Sequence, residues 1–498
     1  MPQLLPISDQ LNNVIDSLSM FRPELCLSVL FLLVMACDLV YASNRGRASR
    51  MLTCAGFLLV LVANWGEYIE TDDHVLFLFN SNLILHHSNI VLKMIIDAAA
   101  FAVVLFFPWD DQLRKHGKGL GDAYTIITAS VLGLHLMVMS GTLLTIFISV
   151  EMVSIASYLL VAYRTESGFS AEAGLKYVLF GMAASAVMLY GISLFYGLSG
   201  TLNLFDGNLI TYLQQADTAM VTLAVVLILA GIGFKLSVVP LHFWVPDVYQ
   251  GAATPVTAYL STLPKIAGFG LLVTFLTPFI ANLAWNKVDF ITLLSVAGIV
   301  TMVAGNFAAV WQQNVKRLLA YSGIGHTGFA LMAVVTFSAQ GIKALNFYLA
   351  AYAVANLGAL MLAGYFANTM KAESLDEYKG LGFKYPVASV CFVILLISLT
   401  GIPVSAGFNA KVIVFSAVYE VYQQGHNVML LALLVTGAVT TVVSLFYYIK
   451  IPLYLFLKNQ ESEGREYPSH KKILVTIVVL SAIVVLLGIF PDLLANLM

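Results

Sequence analysis

The feature that most constrains the fold of this chain is a long series of apolar runs. A helix that crosses a bilayer needs about 20 mostly apolar residues. Fourteen such runs lie along the 498 residues, centred near residues 33, 58, 98, 131, 152, 185, 230, 268, 299, 326, 355, 400, 440 and 484. Only 10% of the residues are charged, whereas soluble domains carry about 25%. The sequence therefore predicts an all-α integral membrane protein with about 14 transmembrane helices, numbered here as spans 1 to 14.

The positions of lysine and arginine predict how these spans are oriented. Connections on the cytoplasmic side of a membrane are enriched in both residues. If the N-terminus is outside, the cytoplasmic connections hold 16 basic residues: Arg45, Arg47, Arg50, Arg114, Lys115, Lys118, Arg164, Lys316, Arg317, Lys371, Lys379, Lys384, Lys458, Arg465, Lys471 and Lys472. The opposite connections hold only Arg22, Lys287 and Lys343. The bias predicts that both termini are on the outer side.

Charge and cysteine content exclude several classes of function. A formal net charge of −2 argues against a nucleic-acid partner. The four cysteines lie in or beside apolar runs, without the spacing of a metal or disulfide framework, so we interpret them as small apolar residues. The N-terminal segment lacks the basic region of a cleavable signal peptide, which predicts that the first apolar run is a complete span.

Four ionisable residues interrupt the apolar runs far from the predicted ends. They are Glu151 in span 5, Lys235 in span 7, Lys265 in span 8 and Lys411 in span 12. A charge at bilayer depth costs about 3 kcal/mol or more unless it is paired or hydrated. The alternative interpretation of each residue alone is a buried ion pair or a hydrogen-bonded anchor, but one glutamate cannot neutralise three lysines. Because a nearby carboxylate alters how readily a buried lysine releases its proton, the set predicts a coupled proton relay.

Two of the charged spans also contain helix-breaking residues. Gly231, Gly233 and Pro240 surround Lys235, and Gly401, Pro403 and Gly407 precede Lys411. Paired interrupted helices at corresponding positions are typical of transporters built from inverted repeats. Spans 7 and 12 are five apart, so the pattern predicts inverted five-helix repeats made of spans 4–8 and 9–13, with discontinuous helices 7 and 12. The corresponding domains are residues 1–120, 121–283, 284–458 and 459–498.

Several other titratable residues have two interpretations. His242, which we expect in the second half of the broken span 7, and His326 in span 10 are either relay members or hydrogen-bonded core histidines. Lys176 is a further candidate relay residue, although Glu172 lies four residues before it and the two can form an ordinary helix-stabilising pair. The same spacing predicts a pair between Lys93 and Asp97 in span 3.

Four sequence blocks resemble a known family. KLSVVPLHFWVPDVYQGAATPVTAYLSTLPKIAGFG, FISVEMVSIASYLLVAYR, QNVKRLLAYSGIGHTGFALMA and SLTGIPVSAGFNAKVIVFSA are similar to the antiporter-like membrane subunits of proton-pumping respiratory complex I. The blocks occur in the family's order, and the resemblance extends over essentially the whole chain. The chain resembles the N type most, because the M type carries a glutamate where Lys411 stands and the L type continues into a long lateral helix. Pro264, where many relatives have serine, is one departure.

The resemblance implies a membrane-arm subunit of an NADH:quinone oxidoreductase, an enzyme that couples quinone reduction to proton translocation. It implies that Glu151, Lys235, Lys265 and Lys411 form the proton-translocating unit. No nucleotide loop, flavin signature or cluster-binding cysteines occur in the sequence. We therefore expect the chain to bind no cofactor or metal itself, and expect quinone, flavin and Fe–S clusters in other subunits. The expected partners are neighbouring antiporter-like and small helical subunits, and the expected location is the bacterial inner membrane.

Other functions are less consistent with the sequence. A stand-alone or Mrp-type cation/proton antiporter shares the same lysines and remains the main alternative. A membrane-embedded polyprenyl or glycosyl transferase needs acidic metal-binding pairs or a large catalytic loop. A structural scaffold does not explain four charges inside the spans.

Overall fold

The computed structural model describes residues 7–40, 46–71, 74–114, 119–282, 284–458 and 471–498. Four of the basic residues used to predict the orientation, Arg45, Lys115, Lys118 and Arg465, lie outside these described residues. The described part is predominantly α-helical, as the apolar runs predict.

Each predicted span corresponds to a helix or to a pair of helices. The first six are Arg22–Val40, Arg47–Glu70, His87–Phe106, Gly121–Val138, Leu143–Val161 and Gly168–Ser199. Span 7 consists of Thr218–Leu236 (span 7a) and Trp244–Gly251 (span 7b). Spans 8 to 11 are Thr254–Ile280, Phe290–Val310, Val315–Val335 and Ala339–Met370. Span 12 consists of Pro386–Thr400 (span 12a) and Ala406–Gly425 (span 12b), and spans 13 and 14 are Val428–Tyr448 and Lys471–Ile489.

Thirteen helices among the described residues are long and apolar enough to cross a membrane. The remaining predicted span is the discontinuous span 12, whose apolar first half, Pro386–Thr400, has only 15 residues. The count of fourteen is thus retained when the interrupted helix is included. The interrupted helix is the fourth in each of the two five-span groups, 4–8 and 9–13, in agreement with the predicted inverted repeats.

Short elements occupy the ends and the longer connections. The strands Leu76–Leu78 and Leu83–Leu85 form an antiparallel hairpin, with Leu76 opposite Leu85. The short helices are Ile7–Ser19, Phe107–Trp109, Asp111–Arg114, Leu209–Gln215, Leu375–Tyr378, Leu381–Lys384, Lys450–Pro452, Leu453–Leu457 and Asp492–Ala495. The hydropathy pattern did not predict these elements, because most are too short to carry a periodic signal.

The centre of the protein is formed by a few deeply buried helices. Spans 10 and 11 are 94% buried over their most apolar windows, span 8 is 78% buried and span 3 is 72% buried. Spans 1, 6 and 13 are each only 28% buried and carry exposed leucine, valine and phenylalanine side chains. Because an apolar outer surface suits lipid, the helix bundle has the distribution expected in a bilayer.

Span 7 is interrupted after Leu236, and the glycines have a different role from the predicted one. Gly231 and Gly233 lie inside the regular helix 7a. A Cβ atom on Gly231 would lie 2.4 Å from the Cβ of Met188 in span 6, so this glycine allows close helix packing. The helix ends because Ser237 adopts the left-handed conformation (φ 65°), and a turn containing Pro240 leads to span 7b.

Span 12 is interrupted at the predicted glycine and proline. Gly401 has φ +85°, a conformation that favours glycine, and ends span 12a. Pro403 follows in the turn, and Ser405 caps span 12b by accepting from the backbone N–H of Phe408. A Cβ atom on Gly407 would lie 1.8 Å from the Ser398 carbonyl oxygen, so the second half-helix begins directly against the end of the first.

Candidate functional site

Lys235 lies in the last turn of span 7a, one residue before the helix ends. Its side chain is buried, and its Nζ atom has no hydrogen-bond partner among the described residues. Aromatic rings surround it instead, with their centroids 5.6 Å (Tyr158), 5.9 Å (Tyr177) and 5.9 Å (Phe234) from Nζ. The ring faces attract a cation but do not provide the full counter-charge of a carboxylate.

Glu151 is the acidic residue that acts electrostatically on Lys235. It lies in the middle of span 5, is half-buried, and accepts a hydrogen bond from the hydroxyl of Ser185 in span 6. The carboxylate therefore has its own neutral donor and is not bonded directly to the lysine. This arrangement brings together two sequence-predicted residues from different spans without joining them as an ion pair.

Lys265 is buried in the middle of span 8 and is bound by neutral oxygen atoms of span 10. Its Nζ donates to the carbonyl oxygen of Gly323 (2.7 Å) and to Oγ1 of Thr327 (3.1 Å). Thr327 Oγ1 donates in turn to the carbonyl oxygen of Leu236 (2.8 Å), the residue that follows Lys235. Thr327 thus connects Lys265 to the interrupted end of span 7a. Span 8 continues as a helix through Pro264, so the proline does not displace Lys265 from the helix.

His326 lies between the lysines of the two halves. It is buried in span 10 and interacts electrostatically with both Lys411 and Lys265. Its Nδ1 is 2.7 Å from the hydroxyl of Tyr348, and its Nε2 is 3.1 Å from the hydroxyl of Tyr448. Both interpretations of His326 remain compatible with this geometry, because a core histidine with two tyrosine partners is also positioned to pass a proton.

Lys411 lies in span 12b and reaches back across the break in the helix. Its Nζ donates to the carbonyl oxygen of Thr400 (2.7 Å), the last residue of span 12a, and lies 4.5 Å from the ring centroid of Phe329. The last carbonyl groups of a helix have no partner within the helix and carry partial negative charge. The interruption therefore provides the oxygen atom that binds this lysine.

A small cavity of about 10 Å³ separates Lys411 from His326. Tyr348, Tyr352 and Ser398 contribute polar groups to its lining. A cavity with a volume of about 10–15 Å³ accommodates one water molecule. The cavity can therefore connect the two side chains through a single hydrogen-bonded water.

These contacts define a buried series of polar groups, the central line. It consists of Glu151, Lys235, Thr327, Lys265, His326 and Lys411. None of its three lysines is bonded to a carboxylate among the described residues; their hydrogen-bond partners are carbonyl and hydroxyl oxygen atoms or are absent. A proton can leave such a lysine without breaking an ion pair.

The two remaining candidate residues have no hydrogen bond or ion pair to the central line among the described residues. His242 is half-buried in the turn before Trp244, so our expectation that it lies in the second half-helix is wrong; the left-handed Ser237 delays the start of span 7b. Lys176 pairs with Glu172 (2.8 Å), as its spacing predicts, and also with Asp247 of span 7b (2.9 Å). Arg317 binds the other oxygen of Asp247 at 2.6 Å.

The predicted pair between Lys93 and Asp97 does not form. Lys93 Nζ instead contacts Glu24 (3.0 Å) and Glu67 (2.7 Å), whereas Asp97 contacts His135 (3.1 Å). The four-residue spacing in span 3 did not predict the pairing, because Glu24, Glu67 and His135 contact these two residues from spans 1, 2 and 4.

Sequence reasoning also missed several neutral members of the site. Thr327, the aromatic residues around Lys235 and the carbonyl group of Thr400 carry no charge that would mark them within an apolar run. The sequence feature that could have marked Thr327 as a site residue is its position directly after His326. Among the residues that the structure describes, no group of three or more His, Cys, Asp or Glu side chains is arranged to hold a metal ion.

The fold and the central line together define a class of protein. A membrane bundle with two interrupted helices, lysines at both interruptions and a titratable series between them has the architecture of an ion-translocating antiporter-like subunit. Residues 140–444 match the family described as "NADH:quinone oxidoreductase/Mrp antiporter, TM". The chain belongs to this family.

Individual relatives indicate which type of subunit within this family the chain resembles. The chain is 39% identical over 470 residues to "NADH-quinone oxidoreductase subunit N 2" of Chloroherpeton thalassium, covering 93% of this chain and 90% of the relative. It is similar to a chain of respiratory complex I from Thermus thermophilus, with 27% identity, a TM-score of 0.76, and coverage of 95% and 98%. A chain of the Mrp complex from Dietzia has the same fold, with a TM-score of 0.77 at 20% identity and 96% coverage of both chains. The resemblance to the N type is confirmed.

Proposed function

We propose that this chain is a proton-translocating membrane-arm subunit of a quinone oxidoreductase that uses NADH or a related donor. The observation that carries the proposal is the central line, whose three buried lysines have neutral partners rather than carboxylates. The subunit-N relatives support quinone reduction by the assembly rather than stand-alone transport. The chain is thus one part of an enzyme whose redox chemistry occurs in other subunits.

Glu151, Lys235, Lys265 and Lys411 are the proposed proton-carrying residues. A change in the distance between Glu151 and Lys235 alters the stability of the charged lysine by Coulomb interaction. Thr327 and His326 then provide hydrogen-bonding groups between the lysines of the two halves. His242 and Lys176 are secondary candidates, because the structure gives neither a hydrogen bond to the four principal residues.

The finer organisation is also part of the proposal. The domains are residues 1–120, 121–283 (first repeat), 284–458 (second repeat) and 459–498. The partners are neighbouring antiporter-like and small helical subunits in the bacterial inner membrane, with both termini of this chain on the outer side. Quinone, flavin and Fe–S clusters are bound by other subunits, and this chain supplies only the proton path.

Purification of the tagged chain from its native membrane in mild detergent tests this function. We expect quinone-reducing subunits to co-purify and the preparation to oxidise NADH or a related donor with quinone as acceptor. The Mrp-type alternative predicts an assembly without redox subunits that exchanges sodium ions for protons in vesicles. Isolation of such an assembly, without quinone reduction, would contradict the proposal.

A further inference from the structure

A second group of ionisable side chains is completely enclosed in the N-terminal helices. It is called here the N-terminal cluster and consists of Glu24 (span 1), Glu67 (span 2), Lys93 and Asp97 (span 3) and His135 (span 4). Glu67 is 4% exposed and the other four are 0% exposed. All five residues precede residue 140, where the family match begins.

Hydrogen bonds join the cluster into one chain of contacts. Glu67 and Glu24 both accept from Lys93 Nζ, at 2.7 and 3.0 Å. The same Glu24 oxygen lies 3.0 Å from His135 Nδ1, and His135 Nε2 lies 3.1 Å from Asp97. Asp97 also accepts from the side-chain amide of Asn64 (2.7 Å). These groups come from all four helices that enclose the site.

The contacts of His135 require the cluster to hold at least one proton in addition to those of Lys93 and the single N–H proton of a neutral imidazole. Each ring nitrogen faces a carboxylate oxygen, but a neutral imidazole has only one N–H group. Either the ring is cationic and donates on both sides, or one of the two carboxyl groups is protonated and donates to the ring.

The cluster also has room for one further proton. With Lys93 and His135 cationic and all three carboxylates ionised, its net charge is −1, and an isolated buried charge is strongly unfavourable. Two carboxylate oxygen atoms, Glu24 Oε2 and Glu67 Oε1, are buried without a hydrogen-bond partner among the described residues. A proton can bind at either oxygen without displacing an existing hydrogen bond.

The cluster lies close to one end of the helix bundle. Glu24 is in the first turn of Arg22–Val40, Glu67 is in the last turn of Arg47–Glu70, and His135 is in the last turn of Gly121–Val138. Arg22 and Glu70, which are 57% and 46% exposed, form an ion pair at this end. Under the proposed orientation, this end faces the outer side of the membrane.

We propose that the N-terminal cluster is a second proton-binding site, which exchanges one proton with water at the outer end of spans 1 to 4. On uptake, Oε1 of Glu67, the one cluster residue with any exposed surface, binds the proton; on release, the proton returns to water. Among the described residues, no hydrogen bond or ion pair joins the five residues of the cluster to a residue of the central line. The site is therefore distinct from the central line.

Infrared spectroscopy of the assembled complex tests the proposal by recording the absorption of protonated carboxyl groups as a function of pH. We expect a titrating band that is lost in Glu67→Gln, which keeps an oxygen atom for Lys93 to bind. Glu70→Gln is the matched control, since Glu70 lies three residues further along the same helix and is exposed; here the band is retained. The conservative variant Glu67→Asp keeps the carboxyl group and is expected to retain the band with a shifted midpoint.

A band that is unchanged in Glu67→Gln would overturn the proposal, since the cluster would then be a permanently charged network. If Glu67→Gln does not assemble, a band in Glu67→Asp whose midpoint is unshifted would likewise overturn the proposal. The use of this proton in transport rests on the proposed function, whereas the binding of the proton by the N-terminal cluster does not. Because the band is recorded without proton pumping, its absence and a failure of the proposed function are distinguishable.

Discussion

At the scale of single residues, the protein holds lysines inside the helix bundle in two different ways. Lys93 is fixed between two carboxylates. Lys235 is surrounded by aromatic rings without a hydrogen-bond partner among the described residues, and Lys411 is bound by a backbone carbonyl group. Removing a charge has different consequences in these settings. Loss of one partner from a buried ion pair leaves an uncompensated charge, but loss of a lysine with neutral partners does not.

Lys93→Met is therefore expected to destabilise the protein strongly. The substitution leaves Glu67 buried without its cation and Glu24 with His135 as its remaining partner, which costs about 3–5 kcal/mol. The measurement is the thermal unfolding of the purified complex, monitored through the aggregation of this chain. Lys411→Met is the matched control and should lower the unfolding temperature much less. Equal losses for the two variants would contradict the distinction between the two kinds of lysine.

Thr327→Val tests the hydrogen-bonded connection between Lys265 and the carbonyl group of Leu236 at the end of span 7a. Valine has nearly the same shape but cannot bind Lys265 Nζ or donate to Leu236. Loss of a hydrogen bond to a charged group costs about 1.5–3 kcal/mol, so we expect a reduction of proton transport by about tenfold or more. Proton pumping by reconstituted complex is the measurement, and Thr327→Ser, which keeps the hydroxyl group, should retain most of the activity. Full pumping in Thr327→Val would exclude this connection.

Charge was the most informative property that the sequence offered at single positions. Lys235, Lys265 and Lys411 stand out because each interrupts an apolar run, and the structure finds all three buried. Glu24 and Glu67 escaped notice because they lie near helix ends, where side chains ordinarily reach the membrane surface. Their burial depends on Lys93 and His135 approaching from other spans, which no local pattern reveals.

At the scale of elements, the two interrupted helices differ in where the lysine lies and in what it binds. In span 12, Lys411 lies in the second half-helix and binds the last carbonyl group of the first half. In span 7, Lys235 lies at the end of the first half-helix and binds none of the last carbonyl groups of that helix. The connection in span 7 runs instead through Leu236 to Thr327 and Lys265.

Gly401→Ala tests the importance of the break in span 12. Gly401 has φ +85°, and an added Cβ atom would lie 2.7 Å from Cδ of Lys411. The left-handed conformation costs a non-glycine residue about 1–2 kcal/mol, and the contact displaces the lysine from Thr400. We expect lower thermal stability and reduced pumping.

Gly425→Ala is the control for this substitution. An added Cβ atom at Gly425, the last residue of span 12b, meets no other atom within 4 Å. It should leave both stability and pumping close to those of the unmodified protein. A Gly401→Ala variant that behaves like this control would show that the break tolerates a side chain.

The positions of the breaks could be predicted only in part. Gly401 and Pro403 coincide with the end of span 12a, because both residues oppose a continuing helix. In span 7 the glycines are not the cause of the break, since Gly231 contacts Met188 within a regular helix. Tertiary packing decides which of these two roles a glycine has, and one sequence cannot distinguish them.

At the scale of the whole molecule, the lysine and arginine bias predicts on which side each connection lies. Gly207 follows span 6, on the predicted outer side, and Gly168 begins span 6 from the predicted inner side. Neither glycine has another atom within 4 Å of an added Cβ atom, so both tolerate substitution. In a background without the four native cysteines, Gly207→Cys should react with a membrane-impermeant thiol reagent added to the outside of intact cells. Gly168→Cys should react only after the membrane is opened, and the reverse pattern would contradict the orientation.

The overall architecture followed from hydropathy because the bilayer dictates helix length. The arrangement of spans 8, 10 and 11 at the centre did not, because mean hydropathy does not rank the spans by burial. Span 3 has a mean hydropathy of 2.4 and is 72% buried, whereas span 2 has a mean hydropathy of 1.5 and is 33% buried. The burial of spans 8, 10 and 11 is what brings Lys265 and His326 between the two interruptions.

The function proposed above requires that the buried lysines with neutral partners carry the translocated proton. The most direct measurement is the rate of proton pumping during quinone reduction by reconstituted complex that contains Lys235→Ala. We expect a complex that assembles, while its rate of coupled proton transport falls by about tenfold or more, equivalent to about 1.4 kcal/mol or more in the barrier. Lys343→Ala, which removes an exposed lysine at the start of span 11, should pump normally. Undiminished pumping in assembled Lys235→Ala complex would contradict the account.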